Sequence, residues 1–94
     1  MDKRRLVQVA ARRSSLTKRQ LDEAVDVVFA TIADALAAGD SVVLREFGRF
    51  YTQTPPPYRI RKVGSGASHL VESRPLPVFS SSATLRRKLK EENT

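Results

Sequence analysis

The sequence has no cysteine and no tryptophan, and its 94 residues include one histidine and one methionine. Without cysteine no disulfide can cross-link the chain, and His69 alone provides no spacing of metal ligands. No apolar run approaches the roughly 20 residues that a membrane-spanning helix requires, and the first residues show no sustained apolar core of the signal-peptide type. We therefore expect a cytoplasmic protein with no metal, no cofactor and no membrane contact.

Charges of the two signs are separated along the chain. Residues 1–20 hold seven Lys or Arg against one acid, residues 21–40 hold five acids and no base, and residues 41–94 hold ten bases against four acids. The net charge of +7 and the pI near 10.6 favour a polyanionic partner, nucleic acid before an anionic membrane surface. The acidic block indicates a side that is turned away from this partner.

Two helices are predicted in the first 40 residues, a segment that we interpret as a helical base. Asp2 can cap the first helix, and Thr17 with Gln20 forms a capping box for a second helix over residues 18–38, which Gly39 ends. The second helix carries an apolar stripe at Leu21, Ala24, Val25, Val28, Phe29, Ile32, Ala35 and Leu36. One short first helix cannot cover this stripe, so we expect a second subunit to do so.

The middle of the chain is rich in β-forming residues. Residues 41–54 predict a hairpin with a tight turn or bulge near Gly48, and residues 76–79 return to the same body. A single hairpin is unstable in water, so these strands must pack on the helices. Phe47 and Phe50 are most simply core aromatics.

Residues 55–75 lie between prolines and are too polar to be buried. The prolines at positions 55–57 cannot donate ladder hydrogen bonds, which ends regular pairing. Alternating residues then predict two strands that meet at a turn over residues 64–66. We interpret this segment as a basic arm that projects from the body and contacts a polyanion. Its bases are Arg59, Arg61, Lys62 and Arg74.

A last helix is predicted over residues 82–91, with one of the serines at positions 80–82 as its cap. Leu85 and Leu89 would face inward and the basic residues outward. No histidine lies near these serines in sequence, and the chain has no paired carboxylates on a basic cleft and no phosphate-binding loop. We therefore expect no enzyme and no small-molecule substrate.

The order helix, helix, hairpin, arm, helix resembles the HU/IHF family of bacterial histone-like DNA-bending proteins over essentially the whole chain. The carrying residues are Phe47, Gly48 and Phe50 in EFGRF, and Pro77 and Phe79 before the last helix. The resemblance implies an α+β fold with a single domain over residues 1–94. It also implies an intertwined dimer with a helical base, a β-sheet saddle and two extended β-ribbon arms. We expect a homodimer, and a heterodimer is also compatible.

In this family each arm tip carries an RNPxTG motif, whose proline wedges between base steps. Arg61 and Gly66 match that motif, whereas Lys62 and Val63 stand in place of its asparagine and proline. The resemblance implies arm contacts in the DNA minor groove and flanking contacts from the body. The DNA-binding candidates are Arg59, Arg61, Lys62, Val63 and Arg74 in the arm, Lys3, Arg86 and Lys90 on the helices, and Arg45 and Arg49 on the saddle strands, facing either DNA or solvent.

Taken together, these features predict an architectural protein of the nucleoid. It would bind double-stranded DNA largely without sequence specificity and wrap, compact or bend it. The alternative is a structural scaffold or filament-forming protein whose arms mediate protein-protein assembly. RNA binding is a third hypothesis, but the sequence lacks an aromatic platform for bases. Charge reversal at Arg61 and Lys62 distinguishes the first two, because it would abolish either DNA binding or only assembly.

Overall fold

The computed structural model describes residues 1–61, 68–71 and 73–92. The helices are α1 (Lys3–Arg12), α2 (Lys18–Ala37) and α3 (Ala83–Glu92). The strands are β1 (Val42–Leu44), β2 (Gly48–Gln53), β3 (Tyr58–Arg61), β4 (Ser68–Val71) and β5 (Leu76–Ser81). Strands β1, β2 and β5 form an antiparallel sheet in that order, and β3 pairs with β4 in a separate antiparallel ribbon. The α+β order of elements is the one that the sequence predicts.

The ends of the first two helices follow from local side-chain chemistry. The backbone N–H of Arg5 donates to the Asp2 carboxylate at 2.9 Å. Gln20 and Thr17 exchange two hydrogen bonds of 3.0 and 3.1 Å between side chain and backbone, which completes the capping box. Gly39 has a φ of 83°, the left-handed conformation that follows a helix end. These predicted caps are confirmed, and α2 ends one residue before the predicted position.

The turn between β1 and β2 lies directly before Gly48. It comprises residues 45–47, where the Phe47 N–H donates to the Leu44 carbonyl at 2.9 Å and Glu46 takes a φ of 66°. Gly48 is not the turn residue but the first residue of β2. The predicted hairpin with a tight turn near Gly48 is therefore confirmed, whereas the placement of Arg45 on a strand is wrong, because Arg45 lies in the turn.

Gly48 has a packing role instead. A Cβ atom at this position would lie 2.6 Å from two ring carbons of Phe79 and 2.6 Å from the carbonyl oxygen of Ser80. Real Cβ atoms essentially never approach backbone oxygen that closely, so only glycine fits here without displacement of β5. The Phe79 ring also packs against Phe47 and Phe50, with centroid distances of 5.5 and 4.9 Å. The three rings tie the turn, β2 and β5 together.

A single chain leaves much of its apolar surface exposed. Among the described side chains, only Val7 of α1 is a fully buried apolar residue, at 2% exposure. The accessible surface is 8142 Å², roughly 2,700 Å² more than the ~5,400 Å² expected of a compact monomer of this mass. Several large apolar side chains are more than a third exposed: Leu6, Leu16, Val28, Phe29, Leu44, Phe47 and Phe79. These exposed faces are what the predicted second subunit would cover.

The arm ribbon continues the register of the body sheet across an interruption. Gln53 pairs with Leu76 at the end of the body ladder, and Tyr58 pairs with Val71 at the start of the arm ladder. Gln53 and Tyr58 are five residues apart, and so are their partners Leu76 and Val71, so the two ladders share one register. Residues 54–57, which include the three prolines, form no strand. The Ser73 hydroxyl donates to the carbonyl oxygen at position 56 at 2.9 Å and bridges this gap.

Helix α3 begins at the end of β5. The Ser82 hydroxyl accepts a hydrogen bond from the Leu85 N–H at 3.1 Å, which confirms a serine cap. The Arg86 guanidinium donates to the Ser81 carbonyl at 2.7 Å and holds the helix start against the strand. The helix extends one residue beyond the predicted end, and β5 extends two residues beyond position 79.

Candidate nucleic-acid interface

The body sheet has two chemically different faces. Thr52 and Pro77, a cross-strand pair, line a cavity together with Ala33 and Leu36 of α2, so this face is turned toward the helix. Side chains alternate along a strand, and paired residues share a face. The other face is therefore turned away from α2. We call it the outer sheet face, and it consists of Val43, Arg49, Tyr51, Gln53, Leu76, Val78 and Ser80.

The outer sheet face carries a single base. The Arg49 guanidinium carbon lies 4.5 Å from the centroid of the Tyr51 ring, in cation-π geometry. All seven residues of this face are described, and none of them is acidic. Arg49 is exposed and Tyr51 half-buried. The structure thus resolves where the saddle arginine points, away from the helical base. It also identifies Tyr51, which the sequence analysis missed although the Arg-x-Tyr spacing on a strand places both residues on one face.

The arm candidates occupy the ribbon and its root. Arg59 is exposed on β3 opposite Leu70, which is 56% exposed. The backbone of Arg61 pairs with Ser68. Arg74 is exposed between the two ladders, at the edge of the cavity lined by Pro75 and Pro77. Lys62 and Val63 lie outside the described residues, as does the predicted turn at positions 64–66.

The body candidates have different surroundings. The Lys3 ammonium forms ion pairs with the carboxylates of Asp26 and Asp22, the second at 3.6 Å. The hydrogen bond to Asp26 is the main cause that raises the pKa of Lys3, the charges of both acids add to it, and partial desolvation opposes it. Lys3 is therefore positively charged at neutral pH but engaged by the acidic block of α2.

The remaining three body candidates are exposed. Arg45 lies in the turn before β2, whereas Arg86 and Lys90 lie on α3. Arg86 is held by its hydrogen bond to Ser81, and Lys90 is the basic residue of the last turn. Arg45 and Arg49 line one surface pocket, together with Glu46 and with Ser81, the residue that Arg86 contacts. The candidates thus form an extended basic surface over the turn, β2 and α3. Such a surface suits a long polyanion better than a small anionic ligand.

Comparison with known proteins decides the family. The sequence profile of the family described as "Bacterial DNA-binding protein" matches residues 1–90. The chain belongs to this family, the HU/IHF proteins. It is 33% identical to integration host factor subunit alpha of Bordetella pertussis over 94 residues. The alignment covers 100% of this chain and 83% of that protein.

The solved structures agree with this membership. The chain matches HU of Anabaena, crystallised with DNA, with a TM-score of 0.83 and 29% identity over 95% of this chain and 97% of that chain. It matches an HU variant of Thermotoga maritima with a TM-score of 0.71 and 25% identity over 95% and 99% of the two chains. The predicted HU/IHF fold is therefore confirmed.

Membership in the HU/IHF family confirms the broad function that the sequence predicts. The family consists of architectural proteins that form dimers, bind double-stranded DNA and are not enzymes. It does not favour the alternative of a filament-forming scaffold. Within the described ranges, no helix combines the length and apolarity needed to cross a membrane.

Proposed function

We propose that two identical chains of this HU/IHF protein form a dimer that receives duplex DNA on its outer sheet faces and between its two arms. The arms enter the minor groove, and binding depends little on base sequence. The protein wraps, compacts or bends DNA in the cytoplasm, on the nucleoid. The observation that carries this proposal is the basic ribbon, which continues the register of the body sheet beyond the prolines.

The charge distribution supports this direction of approach. Four of the five acids of residues 21–40 lie on α2, which packs on the opposite face of the sheet, and Asp40 follows the helix. The outer sheet face has no acid and carries Arg49. Arg59 and Arg61 are residues of β3 in the arm, and Arg74 lies at the arm root. A polyanion approaching the outer face therefore meets positive charge and is separated from the acidic block by the body.

The apolar surface supports the dimer. Helix α2 is 20 residues long and contains no fully buried side chain. Val28 and Phe29 are both 51% exposed, and Phe47 and Phe79 are 47% and 42% exposed. A second copy of the chain is the partner of matching chemistry, since it presents the same apolar faces. Dimer formation also places two arms on one duplex.

We also propose that the arm tip wedges between base steps. Val63 occupies the position of the family proline and is apolar, so it can press against a base step. Unstacking costs a few kcal/mol per step, and it is favourable only when the bent duplex makes enough new contacts. Valine is branched and less flat than proline, so we propose weaker kinking than a proline wedge produces.

The test compares two double charge reversals in the full chain. Arg61→Glu with Lys62→Glu changes the proposed arm contact. Arg12→Glu with Arg13→Glu makes the same change in net charge at the exposed end of α1, where no DNA contact is proposed. Affinity for a labelled duplex is measured by fluorescence anisotropy at two salt concentrations. We expect the arm variant to lose at least about tenfold more affinity than the control, because close phosphate contacts are lost.

The dimer is checked for each variant by analytical ultracentrifugation. Equal loss of affinity in both variants would contradict a specific role of the arm. Binding by the unchanged protein that does not weaken as salt rises would contradict phosphate neutralisation as its basis. Loss of assembly with DNA binding intact would restore the scaffold alternative.

A further inference from the structure

The outer sheet face holds one cation in a fixed place. Arg49 and Tyr51 are two residues apart on β2, and the guanidinium carbon lies 4.5 Å from the ring centroid. In the ladder, Arg49 lies between Val43 of β1 and Ser80 of β5, and Tyr51 lies beside Val78. None of these ladder neighbours carries a charge. Arg45 and Glu46 of the preceding turn line the same surface pocket as Arg49, but among the described residues no carboxylate forms an ion pair with it. The guanidinium is therefore placed by an aromatic ring and not by a carboxylate.

This arrangement leaves the hydrogen-bonding edge of Arg49 available. A guanidinium that stacks on a ring uses its flat face, while its N–H groups point outward in the plane. An ion pair with a carboxylate would occupy those same N–H groups, as Asp22 and Asp26 occupy the Lys3 ammonium. Arg49 thus differs from Lys3, because its charge is oriented without being neutralised.

The surroundings of the pair also favour a ligand with phosphate and sugar groups. Val43 is 70% exposed and Leu76 is 54% exposed on the same face. Apolar side chains next to a cation exclude water from it and strengthen its interaction with an anion. They also offer a surface for the apolar edges of deoxyribose. Gln53, the last residue of β2 on this face, adds a neutral hydrogen-bonding group.

We infer that Arg49 and Tyr51 form a DNA-backbone subsite at the centre of the saddle, in which Arg49 contacts a phosphate and Tyr51 is the positioning residue that holds its guanidinium. This inference rests on the proposed function, since it needs DNA on the outer sheet face. The dimer carries the subsite twice. It belongs to the body and is separate from the arm contacts, from which residues 54–57 divide it.

The ring has a definite energetic role in this subsite. A free arginine side chain loses much of its rotamer freedom when it binds a phosphate. Stacking on Tyr51 restricts that freedom before DNA arrives, so less is lost on binding. Removing the ring should weaken binding but leave the phosphate contact in place. Removing the guanidinium should abolish the contact and with it the contribution of Tyr51.

The test uses four variants of the full chain: Arg49→Gln, Tyr51→Phe, Tyr51→Leu and the double variant Arg49→Gln/Tyr51→Leu. Affinity for a labelled duplex is measured by fluorescence anisotropy over a range of salt concentrations. We expect Tyr51→Leu to weaken binding about threefold and Tyr51→Phe to stay within about twofold, because phenylalanine keeps the ring face. Arg49→Gln should lower the slope of log affinity against log salt by about 2, for two contacts per dimer.

The double variant decides whether the two residues act together. We expect it to bind as weakly as Arg49→Gln alone, because Tyr51 acts through Arg49. If Tyr51→Leu weakens binding equally in both backgrounds, the tyrosine contacts DNA by itself and the positioning role is overturned. A Tyr51→Phe variant as weak as Tyr51→Leu would assign the effect to the hydroxyl and would also overturn it.

The same titrations separate this inference from the proposed function. If Arg49→Gln leaves affinity and salt slope unchanged while charge reversal at Arg61 and Lys62 removes binding, the subsite is overturned and the proposed function stands. If the unchanged protein does not bind duplex DNA, both are overturned. Thermal unfolding of each variant, followed by circular dichroism, shows that affinity changes do not come from loss of the fold.

Discussion

The body sheet and the arm ribbon share one register but are held together differently. The body ladder has α2 on one side, the rings of Phe47, Phe50 and Phe79, and the tight approach of Gly48 to β5. The arm ladder of β3 and β4 is a separate two-stranded sheet with exposed side chains at Arg59 and Leu70. The antiparallel pairing of the body is thus supported by side-chain packing, whereas the described side chains of the arm ladder, Tyr58, Arg59 and Leu70, are exposed.

The segment between the two regions explains how they coexist. Three prolines remove backbone donors at positions 55–57, so the ladder cannot run on continuously. The Ser73 hydroxyl replaces part of the lost bonding. The packing that stabilises the fold is therefore concentrated in the body, whereas the arm is proposed to contribute DNA contacts beyond those proposed for the outer sheet face. Substitutions in one region should therefore have little effect on the property that the other region provides.

The largest expected effect is on the aromatic cluster. Phe79→Ala removes a ring that contacts both Phe47 and Phe50, and it should destabilise the dimer by about 3–5 kcal/mol. Leu70→Ala is the matched control in the arm, where an exposed side chain should contribute no more than about 0.5 kcal/mol. Both free energies of unfolding are measured by urea denaturation at one fixed protein concentration. Similar losses of stability in the two variants would show that stabilising packing is not concentrated in the body.

The next effect concerns two glycines with different roles. Gly48→Ala should destabilise the protein by about 1–3 kcal/mol, because its Cβ would collide with the Ser80 carbonyl and the Phe79 ring. Gly39→Ala is the control: apart from its chain neighbours, nothing lies within 4 Å of the added Cβ, and only the φ of 83° opposes it. It should cost about 1 kcal/mol. Thermal unfolding midpoints rank the two variants, and a larger loss at Gly39 would refute the packing role of Gly48.

A smaller effect is expected at the arm root. Replacing Pro55, Pro56 and Pro57 with threonine restores backbone donors and a strand-forming side chain. The midpoint of thermal unfolding should stay within about 3 °C, since the body is unchanged. Amide hydrogen exchange should slow at the root, where new ladder bonds can form. Unfolding of the whole protein by this substitution would show that arm and body are not separate in stability.

The smallest effect is expected in the helical base, at the ion pair between Lys3 and Asp26. Asp26→Asn removes the main partner of Lys3, and the exposed ion pair contributes little to stability. We expect the unfolding midpoint to be nearly unchanged and DNA affinity to rise about twofold at low salt, because two negative charges leave the dimer and Lys3 keeps only its longer ion pair with Asp22. Anisotropy titration of Asp26→Asn beside Asp34→Asn, an acid elsewhere on the same helix, isolates the contribution of Lys3. Equal gains in both variants would mean that only net charge matters.

Some features of the fold could be read from short stretches of sequence. The caps at Asp2 and Thr17 and the helix end at Gly39 depend on residues within one turn, so local chemistry is sufficient to predict them. The prolines that separate arm from body act through their own missing N–H groups, wherever the rest of the chain lies. The family resemblance, carried by the residues around Phe47 and Phe79, supplied the overall order and the expectation of DNA.

Other features depended on residues distant in sequence. Gly48 looks like a turn residue when it is considered alone, but Phe79, 31 positions later, decides that it is a close-approach residue of β2. Lys3 looks like a free phosphate-binding residue, but the fold places it beside Asp22 and Asp26 of the next helix. In both cases the role of the residue depends on a partner in another element, which no local sequence pattern identifies.

By itself, the sequence determined the element order, the segregation of charge and the need for a partner subunit, because these follow from periodicity, composition and the apolar stripe of α2. Only the tertiary structure decided which face of the saddle is turned away from α2, and that Arg49 lies over Tyr51 while Lys3 lies against carboxylates. The physical reason is that the interaction energy between a charged side chain and DNA depends on the groups that lie within a few ångströms of that side chain. Those neighbours are set by strand pairing and helix packing between distant parts of the chain.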